Sequence, residues 1–261
     1  MDRNLIFDRT ARLTGHAALA LMERLPVIIL GVGGVGSWTA ETLARTGFAD
    51  ITIVDADTVA PTNINRQLPA LATTIGRPKV DVLAERLREI NPDIRVTPIH
   101  GLYTSETADR YDLPNYAYIF DCIDSLADKA LLILNATRAM ADTARTDSPV
   151  RFYSSMGAAL KLDPTRIATA EFWRVKGCPL AAALRRKFKK SGQMPARKFT
   201  CVYSDELVAR HPGYRPEGET ADQSMTFGKA VTNGSLMHIT ATFGLTLASL
   251  AIRDAIARCE R

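Results

Sequence analysis

Short runs of aliphatic and β-branched residues recur through the first half of the chain, each followed by a stretch in which apolar positions return at helical spacing. Residues 26–30 form the first run, bounded by Pro26 and Gly31, and predict a buried parallel strand. Trp38, Leu43 and Ala44 then repeat with helical period up to Gly47, which serves as a stop. Residues 51–54 predict a second strand and 77–90 a helix. Two more strands follow at 94–99 and 116–120, then a helix at 125–145. Beyond this point the rhythm changes. Residues 151–156 and 167–169 carry strand character, and 233–257 predict one long terminal helix. Alternation first and mixed structure after imply an α/β fold: a single domain over 1–261 whose halves, 26–145 and 150–261, share one continuous sheet.

The turn after the first strand is Gly31-Val32-Gly33-Gly34-Val35-Gly36-Ser37. Strand, glycine turn and helix together are the context that a G-x-G-x-x-G match requires. Gly31, Gly33 and Gly36 fit that pattern and Gly34 is an extra glycine. Such a loop lets backbone N–H groups approach phosphate oxygens at a helix N-terminus. Asp55 closes the second strand, where a ribose hydroxyl is held in Rossmann-like folds. Asp57 either shares that task or is a solvated turn residue. Up to here an ATP enzyme and a nicotinamide enzyme look alike.

The next segment separates them. Asn63, Arg66, Gln67 and Lys79 add two cations and two amides within a short span. A transferring nucleotidyl group needs its spread charge neutralised and its pyrophosphate oriented, whereas a dehydrogenase has no use for such charge beside its ribose acid. Asp124 lies just past the strand at 116–120, facing the crevice where ligands bind in open sheets. It is a candidate for holding magnesium; the competing reading is a cap for the helix that begins near Ser125. Residues 26–145 thus form the nucleotide-binding half, and 150–261 are left for substrate and dimerisation.

Composition narrows the field further. Hydrophobic content of 46% and charged content of 23% are those of an ordinary globular protein. The four cysteines form no C-x-x-C pair, so neither a zinc site nor a disulfide framework is indicated. The apolar stretch 17–22 is too short for a secretory signal, so the expected compartment is the cytoplasm. Residues 234–252 contain no charged side chain and reach membrane-spanning length. Their serines, threonines, His238 and Gly244 favour a core helix or dimer interface, with membrane association the lesser alternative. The net charge of +5 concentrates in 185–190 and 197–198, seven basic residues with Phe188 among them. Such a run is either a phosphate-tracking patch or a solvated helix face. A Gly/Pro-rich stretch at 210–218 is read as a lid or a disordered loop.

The ordered set Gly31 to Ser37, Asp55-x-Asp57, Asn63-x-x-Arg66-Gln67, Lys79 and Asp121-x-x-Asp124 resembles the adenylating superfamily of ubiquitin-activating enzymes and their bacterial relatives. Within it the chain looks most like the tRNA threonylcarbamoyladenosine dehydratases. The similarity rests on Phe7 to Gly15, Gly157-Ala158 with Leu162-Asp163-Pro164-Thr165, Cys178-Pro179-Leu180, and Val202 to Glu206. It implies ATP and Mg2+ as cofactors, with Gly31, Gly33, Gly34 and Gly36 at the phosphates and Asp55 at the ribose. Asn63, Arg66, Gln67 and Lys79 would hold the triphosphate, and Asp124 the metal. Arg12 would reach into a neighbouring subunit's ATP site, which makes a homodimer part of the mechanism; its plain alternative is a surface arginine.

The implied reaction is an ATP-dependent cyclising dehydration of N6-threonylcarbamoyladenosine beside a tRNA anticodon, through adenylation of its carboxylate. The resemblance also admits a monovalent cation and sulfur-relay partner proteins. One rival activates a ubiquitin-like sulfur-carrier protein as an adenylyltransferase. A nicotinamide oxidoreductase and a tRNA-binding protein that keeps ATP as a structural ligand are the others.

Overall fold

The computed structural model describes residues 3–209, 211 and 233–259. The stretch at 210–218, read from its composition as a lid or loop, therefore lies outside the described residues apart from His211.

Three short helices lead in: α1 (Arg3–Ile6), α2 (Asp8–Thr14) and α3 (His16–Arg24). Then come β1 (Val27–Leu30), α4 (Gly36–Thr46), β2 (Asp50–Asp55), α5 (Lys79–Ile90), β3 (Arg95–His100), β4 (Tyr118–Asp121), α6 (Leu126–Asp142) and β5 (Arg151–Ser155). The chain continues through β6 (Ile167–Glu171), α7 (Pro179–Ser191), β7 (Thr200–Ser204) and α8 (Met237–Cys259). The strands form one seven-stranded sheet in the order β3-β2-β1-β4-β5-β7-β6. All neighbours are parallel except β6, which runs antiparallel to β7. The strands of the second half thus extend the sheet of the first.

β1 is buried at every position because both faces of the sheet are covered. Its side chains alternate between two cores. Val27 and Ile29 join a core built with α3, α4, α5 and α8, which contribute Met22, Leu43, Leu83 and Phe243. Ile28 and Leu30 point the other way, into a core with Leu132 and Ile133 of α6 and Leu184 and Phe188 of α7. The strand order reverses at β1: β2 lies on one side and β4 on the other, which opens a crevice at the carboxyl ends of the strands.

Most elements fall where the pattern puts them, and two differ. The pattern predicts no strand at β7, since five residues between loops carry too weak an alternation. The terminal helix starts at Met237 rather than at 233, because other segments capture the carbonyls before it. Leu160 N–H donates to Gly234 O at 3.0 Å, and Asn65 Nδ2 donates to Ser235 O at 2.9 Å. α8 is long and apolar enough to cross a membrane. The fold uses it as a core helix: Ile239, Phe243, Leu247, Ala248, Ala251 and Ala255 are fully buried against the sheet and α4. Gly244 permits that approach, since a Cβ there would stand 2.5 Å from Val35 O, while Thr39 Oγ1 donates to Gly244 O at 3.2 Å.

Candidate nucleotide and substrate site

The glycine turn is held by contacts that only glycine allows. Gly31 has a φ of 88°, and a Cβ on it would lie 2.7 Å from Cys122 O. At Gly36 a Cβ would lie 1.9 Å from Gly31 O. Ser37 Oγ donates to Gly33 O at 2.7 Å and accepts the Leu68 N–H at 3.3 Å, which ties the loop to the segment that follows β2. Gly31, Gly33 and Gly34 border a cavity of about 800 Å³ at the carboxyl ends of the strands. Gly36 does not line it. That glycine stands behind the turn, where it lets α4 pack closely on the strand.

Asp55 receives N–H bonds on both carboxylate oxygens, from Val32 at 2.7 Å and from Asp57 at 2.9 Å. Burial pushes its carboxyl above the usual carboxylate range, while the charge of Lys79 pulls it back. The carboxylate is therefore fixed at the cavity wall with lone pairs left to accept from a ligand hydroxyl.

After β2 a 3-10 turn, Pro61–Asn63, reverses the chain. Asn63 is buried and spends its Oδ1 on the Ala60 N–H at 3.1 Å, which sets the turn. Arg66 Nη1 donates to Thr62 O and Asn65 Oδ1, each at 3.0 Å, so the guanidinium is steadied by neutral oxygens and keeps donors for an anion. Burial lowers its pKa and the charge of Asp124 opposes that shift, the expected pattern for a cation and a carboxylate sharing one cavity. Gln67 Oε1 is buried with no hydrogen-bond partner among the described residues, which suits an acceptor for a ligand donor. Lys79 opens α5, and its Nζ lies 2.7 Å from Asp57 Oδ2.

Asp55, Asp57, Asn63, Arg66, Gln67, Lys79 and Asp124 all line the same cavity. Arg12 does not line the cavity of its own chain; its side chain is largely exposed on α2 and pairs with Asp8 at 2.8 Å. The N-cap position of α6 is Ser125, one residue past Asp124. The position of Asp124 is set from below. Asp121 and Lys129 form a fully buried ion pair at 2.8 Å. Asp121 also accepts from Ser154 Oγ at 2.6 Å and from the Ile123 N–H at 3.1 Å, and Lys129 Nζ holds Ile123 O at 2.9 Å. A single carboxylate completed by phosphate oxygens suits magnesium, which seldom takes an all-protein cage. Among the described residues no group of three or more His, Cys, Asp or Glu side chains is arranged to hold a metal ion.

Pattern reading misses part of the wall. Gly101, Leu102 and Tyr103 follow β3, Ser155 and Met156 close and follow β5, Leu180 begins α7 and Thr240 belongs to α8. The residues after β3 and β5 carry no local signal beyond their place at strand ends, and Leu180 and Thr240 reach the cavity from helices. Gly157 and Ala158 also border the cavity. The marker 162–165 is structural: Glu206 Oε2 accepts the N–H groups of Leu162 at 2.8 Å and Asp163 at 3.0 Å, and Asp163 caps the next turn through Thr165.

Two of the cysteines have thiols held far from activation. Burial and the nearby Asp121 charge push Cys122 up to about 12, and burial pushes Cys201 well above its usual value. The basic stretch needs one correction. Phe188 is buried and packs edge-on against Phe172 at 5.9 Å, so it presents no face for stacking a base. Arg185 is also engaged, donating to Phe172 O at 3.0 Å. Arg186, Lys187, Lys189, Lys190, Arg197 and Lys198 remain exposed.

Fold and site together define an α/β protein with a polar, glycine-bordered cavity at the topological switch point of its sheet. A family model described as the ThiF family matches residues 7–162, and the chain belongs to that family. It is 36% identical over 266 residues to the tRNA threonylcarbamoyladenosine dehydratase of Escherichia coli (strain K12), covering 98% of this chain and 95% of that relative. The crystal structure of the E. coli tRNA N6-threonylcarbamoyladenosine dehydratase in complex with ATP matches with a TM-score of 0.80 and 35% identity, over 99% of this chain and 96% of that one. The AMP complex of that enzyme matches with a TM-score of 0.82 and 34% identity, over 99% and 97% of the two chains.

Proposed function

We propose that this protein is an ATP-dependent tRNA threonylcarbamoyladenosine dehydratase. The observation that carries the reading is that Arg66, Lys79 and Asp124 line one cavity with the glycine turn and with the loops after β3 and β5. That arrangement suits a triphosphate at one end and a second, carboxylate-bearing nucleoside at the other.

In this reading the carboxylate of the threonylcarbamoyl group attacks the α-phosphorus of ATP and pyrophosphate leaves. A nitrogen or oxygen of the same side chain then displaces AMP from the acyl-adenylate, closing a ring with net loss of water. Asp55 holds the ribose. Arg66 forks onto the phosphates and Lys79 adds a point charge, so that charge developing on the leaving pyrophosphate is neutralised in a partly dry site. Asp124 would hold magnesium, which supplies further charge neutralisation on the phosphates. No covalent nucleophile is required, in keeping with the raised thiols of Cys122 and Cys201; positioning and electrostatics carry the rate.

The finer parts of the reading rest on the resemblance together with the exposure of these side chains. The exposed cations at the end of α7 and at 197–198 form the tRNA surface through phosphate contacts alone. Arg12, exposed and outside its own pocket, would serve the pocket of a partner subunit in a homodimer, as the resemblance implies. A cytoplasmic location, sulfur-relay proteins and a monovalent cation belong to the same reading.

The test is mass spectrometry of nucleosides from threonylcarbamoylated tRNA incubated with the protein, ATP and magnesium, after mild digestion. Loss of one water from the modified adenosine, dependent on ATP and on Lys79, is the expected result. An unaltered nucleoside together with pyrophosphate exchange on a ubiquitin-like carrier would overturn it in favour of the sulfur-carrier activators.

A further inference from the structure

We propose that Asp57 is not a ribose ligand but the positioning residue for Lys79, and that the nucleotide meets Lys79 only because Asp57 keeps its ammonium at the phosphate end of the cavity. The inference deepens the proposed reading and rests on it for the identity of the ligand as a nucleoside triphosphate.

Lys79 is poorly placed for a cation by itself. It is the first residue of α5, where the helix dipole presents its positive end. Its side chain is only 5% exposed, so water cannot compensate. A buried ammonium on a flexible four-carbon stem must find an anion or turn away. Asp57 supplies the anion at 2.7 Å, with its own side chain 33% exposed.

Backbone geometry sets this pairing. Residues 57–59 and 76–79 run antiparallel: Lys79 N–H donates to Asp57 O at 3.0 Å, Val59 N–H to Arg77 O at 2.8 Å and Gly76 N–H to Val59 O at 2.8 Å. Thr58 and Pro78 form the bridge between them. The two side chains are thus neighbours by register, 22 residues apart in sequence. Asp55 takes the other task. Both its oxygens are clamped by loop N–H groups at the end of β2, fixing it toward a ribose, and one of those donors is the Asp57 N–H itself. The D-x-D pair therefore divides into one residue for the sugar and one for the lysine.

Binding of ATP, AMP and 2′-deoxy-ATP, measured by calorimetry on the full chain, tests this. Asp57→Asn should weaken ATP about tenfold to a hundredfold, the worth of one charge-assisted contact. AMP binding should hold within about twofold, because AMP lacks the β- and γ-phosphates. The preference for ATP over 2′-deoxy-ATP should persist. Asp57→Glu should recover part of the affinity, and Asp57→Asn added to Lys79→Ala should cost nothing more. Equal weakening of ATP and AMP, loss of the ribose preference or additive effects of the two substitutions would make Asp57 a ribose ligand and overturn the inference. Retained ATP affinity in Asp57→Asn would overturn it as well. Wild-type protein that binds no ATP would overturn the functional reading itself, a result distinct from any of these.

Discussion

Gly36 stands so close to Gly31 that a Cβ added to it would lie 1.9 Å from the Gly31 carbonyl oxygen. No side-chain rotation relieves a clash between backbone and Cβ. Gly36→Ala should therefore destabilise the protein by about 3 kcal/mol or displace the turn, as overpacking does. Thermal unfolding and ATP titration check this: melting temperature and nucleotide affinity should fall together.

Asp121 and Lys129 tie the sheet to the segment carrying Asp124. Lys129→Met removes one partner from a fully buried pair and should cost about 3–5 kcal/mol, because the Asp121 charge is left uncompensated. Denaturant unfolding measures the change. Replacing Asp121 and Lys129 together by apolar residues should cost less than this single substitution.

Asp55→Asn should weaken ATP and AMP alike, since both carry the ribose. Burial raises the Asp55 pKa above its ordinary 3.8, so in the wild type the acid limb of AMP binding should begin at a higher pH than for an exposed carboxylate. The folded carboxylate accepts best when ionised, so affinity should fall as pH drops through that raised value. The Asn variant should bind weakly with no such limb.

Arg186→Glu with Lys189→Glu should reduce tRNA binding and flatten its salt dependence, by about 0.7–0.9 in log–log slope for each phosphate that the protein no longer neutralises. Phe188→Ala should act differently. It opens the core under α7 at a cost of about 3–5 kcal/mol, with no selective effect on salt dependence. Filter binding across a salt series separates the two.

Glu206 has its pKa lowered by the N–H groups of Asp163 and Leu162 that it accepts. A depressed carboxylate stabilises the fold above its unfolded value, 4.5, and the contribution fades as pH falls through the lower folded value. The Glu206→Gln variant should accordingly lose stability at neutral pH and differ little from wild type at strongly acid pH. Melting curves over a pH series measure this.

What the chain reveals to pattern reading is what is local. The run before Gly31, the glycine turn and Asp55 follow one another closely, and each signals through its own neighbours. The same holds for the Asn63 to Gln67 cluster. Pairings across distance are not legible. Nothing near Asp57 announces Lys79, and nothing near Asp121 announces Lys129, because register and helix placement bring them together. Phe188 looks available among its cations. The helical period turns it inward toward Phe172 while its neighbours face out, a distinction that needs the helix phase against the sheet. β7 is hidden because its five residues, Thr200–Ser204, carry too weak an alternation to stand out between loops.

Gly244 links the phosphate turn to the far end of the chain. The helix that rises from the phosphate turn leans on α8 through Val35, Thr39 and Gly244, and Thr240 of α8 is part of the cavity wall. The glycine turn is therefore completed by a helix about two hundred residues further along the sequence, so a lesion in α8 remote from every phosphate-facing side chain should still disturb the cavity.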